Sequence, residues 1–189
     1  MVIDELLDEI LGCRLLYCSL SPDILAGTDF SDREPVIKIN TSVADVPMYQ
    51  GADIDGVLAV SKGHEAIHII REHGGEIRSE KWGSEIQPDN AERRREFEAE
   101  IGCRTFMVPG WGLARQECFR ELTQRARLGK QPSSKEIWFA VYGIAHGMGV
   151  NPAFMKKVLV DRGLISASGK APNEVLSLNH QMDFGLEDW

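Results

Sequence analysis

The chain has no apolar run approaching the roughly 18 residues that a membrane-spanning helix needs. Its first residues, MVIDELLDEILGC, are acidic where a secretory signal carries a basic start. These two absences argue against a membrane span and against secretion, so a cytoplasmic protein is the expectation. The four cysteines, Cys13, Cys18, Cys103 and Cys118, include no CxxC pair, so neither a zinc ribbon nor a disulfide framework is indicated. In a reducing compartment they are expected as thiols. Internal repeats and low-complexity tracts are also missing.

What is present describes a globular chain. With 189 residues, 43% hydrophobic and 26% charged, it can bury a substantial core, and its length fits one domain or one domain with a small appendage. The formal charge of −8 is unevenly spread. Residues 120–170 carry nine Lys or Arg against three acids, a local +6 that leaves −14 on the remainder. Such asymmetry marks either a surface for nucleic acid or an acidic partner, or simply a solvated basic face.

Periodicity predicts a mostly helical α+β chain. Residues 2–18 alternate acids with Ile, Leu and Tyr at helical spacing. Residues 19–34, with Pro22, Gly27, Asp29, Ser31 and Asp32, read as loop. PVIKINT, residues 35–41, alternates apolar and polar side chains and is the best strand candidate, part of a small sheet. From Asp53, an N-cap by type, a helix is expected to run to Gly74 and Gly75. A polar loop follows over 76–90. Further helices are expected over 90–107, ended by Pro109, and near 112–128, 134–147 and 152–162. The domain expectation is a core over 1–112, a basic helical region over 113–170 and an acidic tail over 171–189, whose Phe184 and Trp189 are free to dock.

GHEAIHIIREHGG, residues 63–75, carries the chemistry. Positions i and i+4 of a helix share a face, so His64 and His68 can aim one ring nitrogen each at a single metal ion. Glu65, rotated about 100° from His64, is placed to reach a metal-bound water rather than the metal. With five His and 17 Glu in the chain, chance gives an HExxH in roughly one such chain in a hundred, so a third ligand is needed to support the reading. Catalytic zinc takes three protein ligands and keeps a fourth position for water. Residues 93–109, RRREFEAEIGCRTFMVP, offer Glu96, Glu98 and Glu100. Glu98 shares its helical face with Ile101, Gly102 and Thr105, and a glycine there allows a close approach to the metal helix. Glu96 and Glu100 share another face, which reads as solvated. Spacing alone leaves the three open.

GVLAVSKGHEAIHIIREHGG followed by FEAEIGCRTFMVP resembles the ImmA/IrrE family of zinc metallopeptidases, which show an HExxH helix, a downstream Glu-Ala pair and a hydrophobic-Met-Pro stretch. EPVIKIN resembles the strand preceding that helix. The resemblance spans about residues 34–110. It implies a zincin-like fold, zinc held by His64, His68 and Glu98, and Glu65 as catalytic acid/base. Ile67 stands where the family usually has Gly, and Val108 where it usually has Met. The resemblance further implies cleavage of a specific partner, a helix-turn-helix transcriptional repressor, in a stress, DNA-damage or phage-defence response. The other reading is a DNA-binding or repressor-interacting regulator without peptidase activity, and a third is a zinc hydrolase of another substrate class. His73, His146, Tyr49 and Tyr142 have the chemistry of a second oxyanion donor, and position selects none of them.

SKEIWFAVYGIAHGMGVNPAFMKKVLVDRGLIS reads as helix, short turn, helix, with Asn151 as cap and Pro152 as first helical residue. This helix-turn-helix-like pair carries Lys156, Lys157 and Arg162 as candidate nucleic-acid contacts, with DNA as a possible activating ligand. The competing reading is two ordinary packed helices. Cys118 is a candidate regulatory zinc ligand, since a thiolate in the water position would hold the site inactive; a small buried hydrophobe is the simpler role.

Overall fold

Gly12 decides how the chain begins. In the computed structural model, which describes residues 3–22, 24–45, 49, 52–71, 90–169 and 174–179, α1 (Ile3–Glu5) runs into a π-helical turn at Leu6–Ile10. Gly12 then takes a φ of +58°, left-handed geometry that glycine adopts without a Cβ clash. The helix expected over 2–18 therefore stops short, and Arg14–Cys18 forms β1. Over so short an apolar stretch, periodicity does not separate helix from strand; pairing does. β1 runs parallel to β3 (Val36–Asn40), with Arg14 opposite Val36 and Cys18 opposite Asn40. β2 (Ala26–Asp29) runs antiparallel to β3 on its other side, giving the order β1-β3-β2. The stretch AGTD has little strand propensity, which is why it reads as loop; the ladder with β3 imposes the conformation.

β3 is the strand expected at 35–41, but both its faces are covered: Val36, Ile37, Ile39 and Asn40 are all buried. The buried Asn40 carboxamide is fully used. It accepts from the Leu20 N–H (3.2 Å) and the Ser42 N–H (2.9 Å), and donates to the carbonyls of Ser21 (3.1 Å) and Ile24 (2.7 Å). One side chain thus serves three backbone groups of the loop between β1 and β2 and one just after β3.

The chain divides into two compact units, Met1–Met107 and Val108–Trp189. In the first, Ile37 and Ile39 pack with Leu7, Cys13, Ala26 and Ala66, flanked by Leu58, Ile69 and Phe106. Ala66 belongs to α2 (Ile54–Ile70), whose N-terminus is capped by the Asp53 carboxylate accepting from the Gly56 N–H at 3.1 Å. Lys62 on α2 reaches Asp4 (2.7 Å) and the Tyr17 hydroxyl (2.8 Å), tying α1 and β1 to the helix. α3 (Asn90–Met107) ends before Pro109 as the sequence indicates. α2 ends at Ile70 with Arg71 as its C-cap, short of the expected stop at Gly74 and Gly75; the polar stretch through residue 89 lies outside the described residues.

In the second unit the helix expected over 112–128 is two, α4 (Gly110–Arg115) and α5 (Glu117–Arg127), separated by an extended Gln116 at φ −74° and ψ 125°. Gln116 covers Gly147, where a Cβ would collide with its amide, and donates to the Met148 sulfur at 3.3 Å. α6 (Ser134–Met148) opens on a reciprocal capping box between Ser133 and Glu136 and closes on Gly149 at a φ of +66°. α7 (Pro152–Asp161) is capped by Asn151, which accepts from the Phe154 N–H at 2.9 Å. A hairpin of β4 (Ile165–Ser168) and β5 (Val175–Leu178) follows, with Ile165 opposite Leu178. Leu176 and Leu178 are buried, so residues expected in an acidic tail contribute to this unit's core; Phe184 and Trp189 lie outside the described residues. No helix among the described residues is long and apolar enough to cross a membrane.

The capping box makes α6 sensitive to acid. The Ser133 backbone N–H and hydroxyl, with Arg125 beside them, hold the Glu136 carboxyl at about 2, below its ordinary 4.5. Its contribution is present above the ordinary value and is lost as pH falls toward 2. Ser133→Ala is expected to cost about 1 kcal/mol, read as a lower Tm. The Tm gap between wild type and Glu136→Gln is expected at pH 7 and should close as pH approaches 2.

Candidate metal centre

His64 and His68 lie one turn apart on α2, and their Nε2 atoms are 3.1 Å from each other. The Glu96 carboxylate on α3 reaches both: Oε2 is 3.1 Å from His64 Nε2, and Oε1 is 3.3 Å from His68 Nε2. The three ligand atoms lie within 4.8 Å of one another. His68 is fully buried, while His64 and Glu96 keep partial access to solvent. Burial works against charge on His64, but the Glu96 carboxylate, with Glu65 and Glu100 nearby, outweighs it and raises the imidazole pKa. Burial likewise raises the Glu96 carboxyl, and the hydrogen bonds from His64 and His68 override it, holding the group at about 2. The two shifts are two sides of one pairing: positive charge is favoured on His64 and negative charge on Glu96.

The donor set fits a divalent cation. If each Nε2 carried a hydrogen toward the carboxylate, two N–H groups would confront one another at 3.1 Å; if only one did, a ring lone pair would face the carboxylate. A cation between them removes both conflicts, and two imidazoles with one carboxylate suit zinc.

Glu98, the third ligand implied by the family resemblance, is not in this group. It accepts from Arg94 Nε at 2.9 Å and lies 3.8 Å from Arg71. Glu100, on the supposed solvated face, pairs with Arg104 one turn on. The face of α3 that meets α2 runs through Ala99 and Cys103, both buried, at three and seven residues from Glu96. Ile101, taken as Glu98's apolar neighbour on the inner face, is 45% exposed. That small-residue stripe is the signal in the sequence that selects Glu96.

Glycines allow the two helices to meet closely. A Cβ on Gly102 would stand 2.8 Å from Ile67 Cγ2, and one on Gly63 would stand 2.7 Å from Met107 Cγ. Ile67 fills the notch that Gly102 leaves on the opposite helix.

Glu65 is not one of the three grouped ligands, though it lies near enough to His64 to act on its charge. It is 1% exposed, and its Oε2 accepts from the Thr28 hydroxyl of β2 at 2.8 Å. Thr28 is itself 2% exposed. Sequence reasoning missed Thr28 because it placed the residue in a loop.

The other candidates fall elsewhere. Cys103 donates to the Val60 carbonyl, and burial pushes its thiol up to about 12, making it a buried packing residue. Cys118 lies in the second unit with its sulfur against Gly143 of α6. His73 is outside the described residues, Tyr49 is half-buried in the first unit, and Tyr142 and His146 lie on the exposed face of α6. Of the nucleic-acid candidates, Lys156 is 2.7 Å from the Glu174 carboxylate and 6.0 Å from the centre of the Trp138 ring. Arg162 donates to the Val108 carbonyl, and burial lowers its pKa. Lys157 is half-buried on α7. Among the described residues, the exposed cations of this unit are Arg115, Arg120, Arg125, Arg127, Lys130 and Lys135.

Comparison with protein-family models, curated proteins and solved structures finds no match to this chain.

Gly102→Ala is expected to destabilise the first unit by about 1–3 kcal/mol through overpacking against the stiff Ile67 side chain. Gly102→Ala combined with Ile67→Gly or Ile67→Ala should recover part of that loss, as read by thermal unfolding of the two variants against wild type.

Proposed function

We propose that this chain is a zinc-dependent endopeptidase of the ImmA/IrrE type with a zincin-like fold. The observation that carries the reading is the convergence of His64, His68 and Glu96 on one point, with Glu65 adjacent to His64 in the helix yet outside the ligand group. His64, His68 and Glu96 hold the metal. When bound there, zinc supplies a Lewis acid that polarises a peptide carbonyl and lowers the pKa of a bound water to about 7. Glu65 takes the proton of the attacking water and returns it to the leaving amine, the work of a general base followed by a general acid. A buried carboxylate whose one hydrogen-bond donor among the described residues is a neutral hydroxyl is costly without a nearby cation, which a metal held by the neighbouring His64 would supply.

The substrate and setting rest on the resemblance alone. They are a helix-turn-helix repressor cut in a stress, DNA-damage or phage-defence response within the cytoplasm, with DNA as a possible activating ligand. The regulator reading without peptidase activity draws on the α6–α7 pair, but Lys156 and Arg162 are engaged inside their own unit.

Elemental analysis separates the ligand sets. Wild type is expected to carry about one zinc per chain. His64→Ala and Glu96→Ala should lose it, and Glu98→Ala should retain it. Loss in Glu98→Ala with retention in Glu96→Ala would overturn the assignment. Glu65→Gln is expected to keep zinc and abolish cleavage of a co-expressed repressor partner; retained cleavage would sink the mechanism.

A further inference from the structure

We propose that Thr28 is a positioning residue for the base, an inference that rests on the peptidase reading. Its hydroxyl crosses from β2 to α2 to donate to Glu65 Oε2 at 2.8 Å, between two residues that are 2% and 1% exposed. Against a carboxylate the hydroxyl can only donate usefully, and such charge-assisted bonds are the stronger class. Thr28 is β-branched and sits in a strand, so its χ1 is stiff and the hydroxyl's aim is fixed by the backbone. That backbone is fixed in turn: Thr28 stands opposite Ile37 in the ladder, and its neighbour Asp29 is pinned to Lys38 at 2.7 Å. With Oε2 tied to the sheet, the carboxylate has one orientation, and Oε1 is the oxygen left to meet the water.

A purely structural threonine would satisfy a buried carboxylate and nothing more. Thr28→Val removes the donor with little change in shape, Thr28→Ser restores it, and Thr28→Ala serves if the valine variant does not fold. The probe is acetohydroxamate, which chelates zinc through its two oxygens and donates a hydrogen bond to a correctly placed base. Its affinity is measured by calorimetry on zinc-loaded protein, beside zinc content and Tm. Thr28→Val is expected to keep its zinc and to weaken acetohydroxamate about ten- to a hundredfold, the worth of one hydrogen bond to a charged group. Glu65→Gln should weaken it similarly and Thr28→Ser should bind as wild type. Unchanged affinity in Thr28→Val with weakened affinity in Glu65→Gln would overturn the role of Thr28 and leave the base in place. Loss of zinc in Thr28→Val would mark the residue as structural and equally overturn it. Unchanged affinity in Glu65→Gln would instead remove Glu65 as the base, and the proposal with it.

Discussion

The close contact between α2 and α3 is the constraint on which the site depends. Two helices whose contact positions carried ordinary side chains would sit at the usual 8–10 Å between axes. Gly102 and Gly63 remove a side chain from each helix, and Ile67 and Met107 from the opposite helix occupy the space. The contact is local to the chemistry. Ile67 lies between His64 and His68 in sequence, and Glu96 stands six residues before Gly102, about 9 Å along the helix. The packing that seats Ile67 therefore sets how far the Glu96 carboxylate must reach, and both its oxygens arrive within 3.3 Å of a ring nitrogen.

The sheet has a part beyond support. α2 presents Ala66 and Ile69 to the apolar core and His64 and His68 to Glu96, and Glu65 falls between these faces. A carboxylate in that position faces a region poor in water, where an unpartnered charge is expensive. β2 meets the need with a hydroxyl. The strand is short and made of residues with weak strand propensity, so its conformation depends on the ladder to β3. β3 is itself held by burial on both faces and by the saturated Asn40 carboxamide. The order of dependence runs from β3 to β2, and from β2 through Thr28 to Glu65.

Much of this was legible in the sequence where a local rule decides. The helical spacing of His64 and His68, the caps at Asp53 and Asn151, and the end of α3 before Pro109 all follow from interactions within a few residues. β1 and β2 were not legible, because Arg14–Cys18 suits a helix as well as a strand and Ala26–Asp29 suits neither. The carboxylate that joins His64 and His68 shows the limit more finely. Gly102 was the correct sign of a close helix contact, but it lies at the margin of the buried stripe, on the side nearer Glu98. Ala99 and Cys103 mark the centre. At about 100° per residue, Glu96 is about 60° from Ala99 and about 20° from Cys103, whereas Glu98 is about 100° and 140° away. A reading weighted by the buried small residues rather than by the glycine selects Glu96.

The second unit shows the same limit for charge. Its caps and turn are those of a helix-turn-helix-like pair, and the sequence places cations on the second helix. Yet a lysine side chain is long enough to serve a neighbour instead of solvent. Lys156 does so: Glu174, at the start of the strand that closes the hairpin, takes its ammonium, and the Glu174 carbonyl accepts from Trp138 of α6 at 3.5 Å. One residue thus joins α6, α7 and β5. A phosphate contact at Lys156 would have to compete with this internal pair, and at Arg162 with a half-buried bond to a backbone carbonyl. A local +6 balance fixes how many cations a region holds, while the fold determines how many of them face outward.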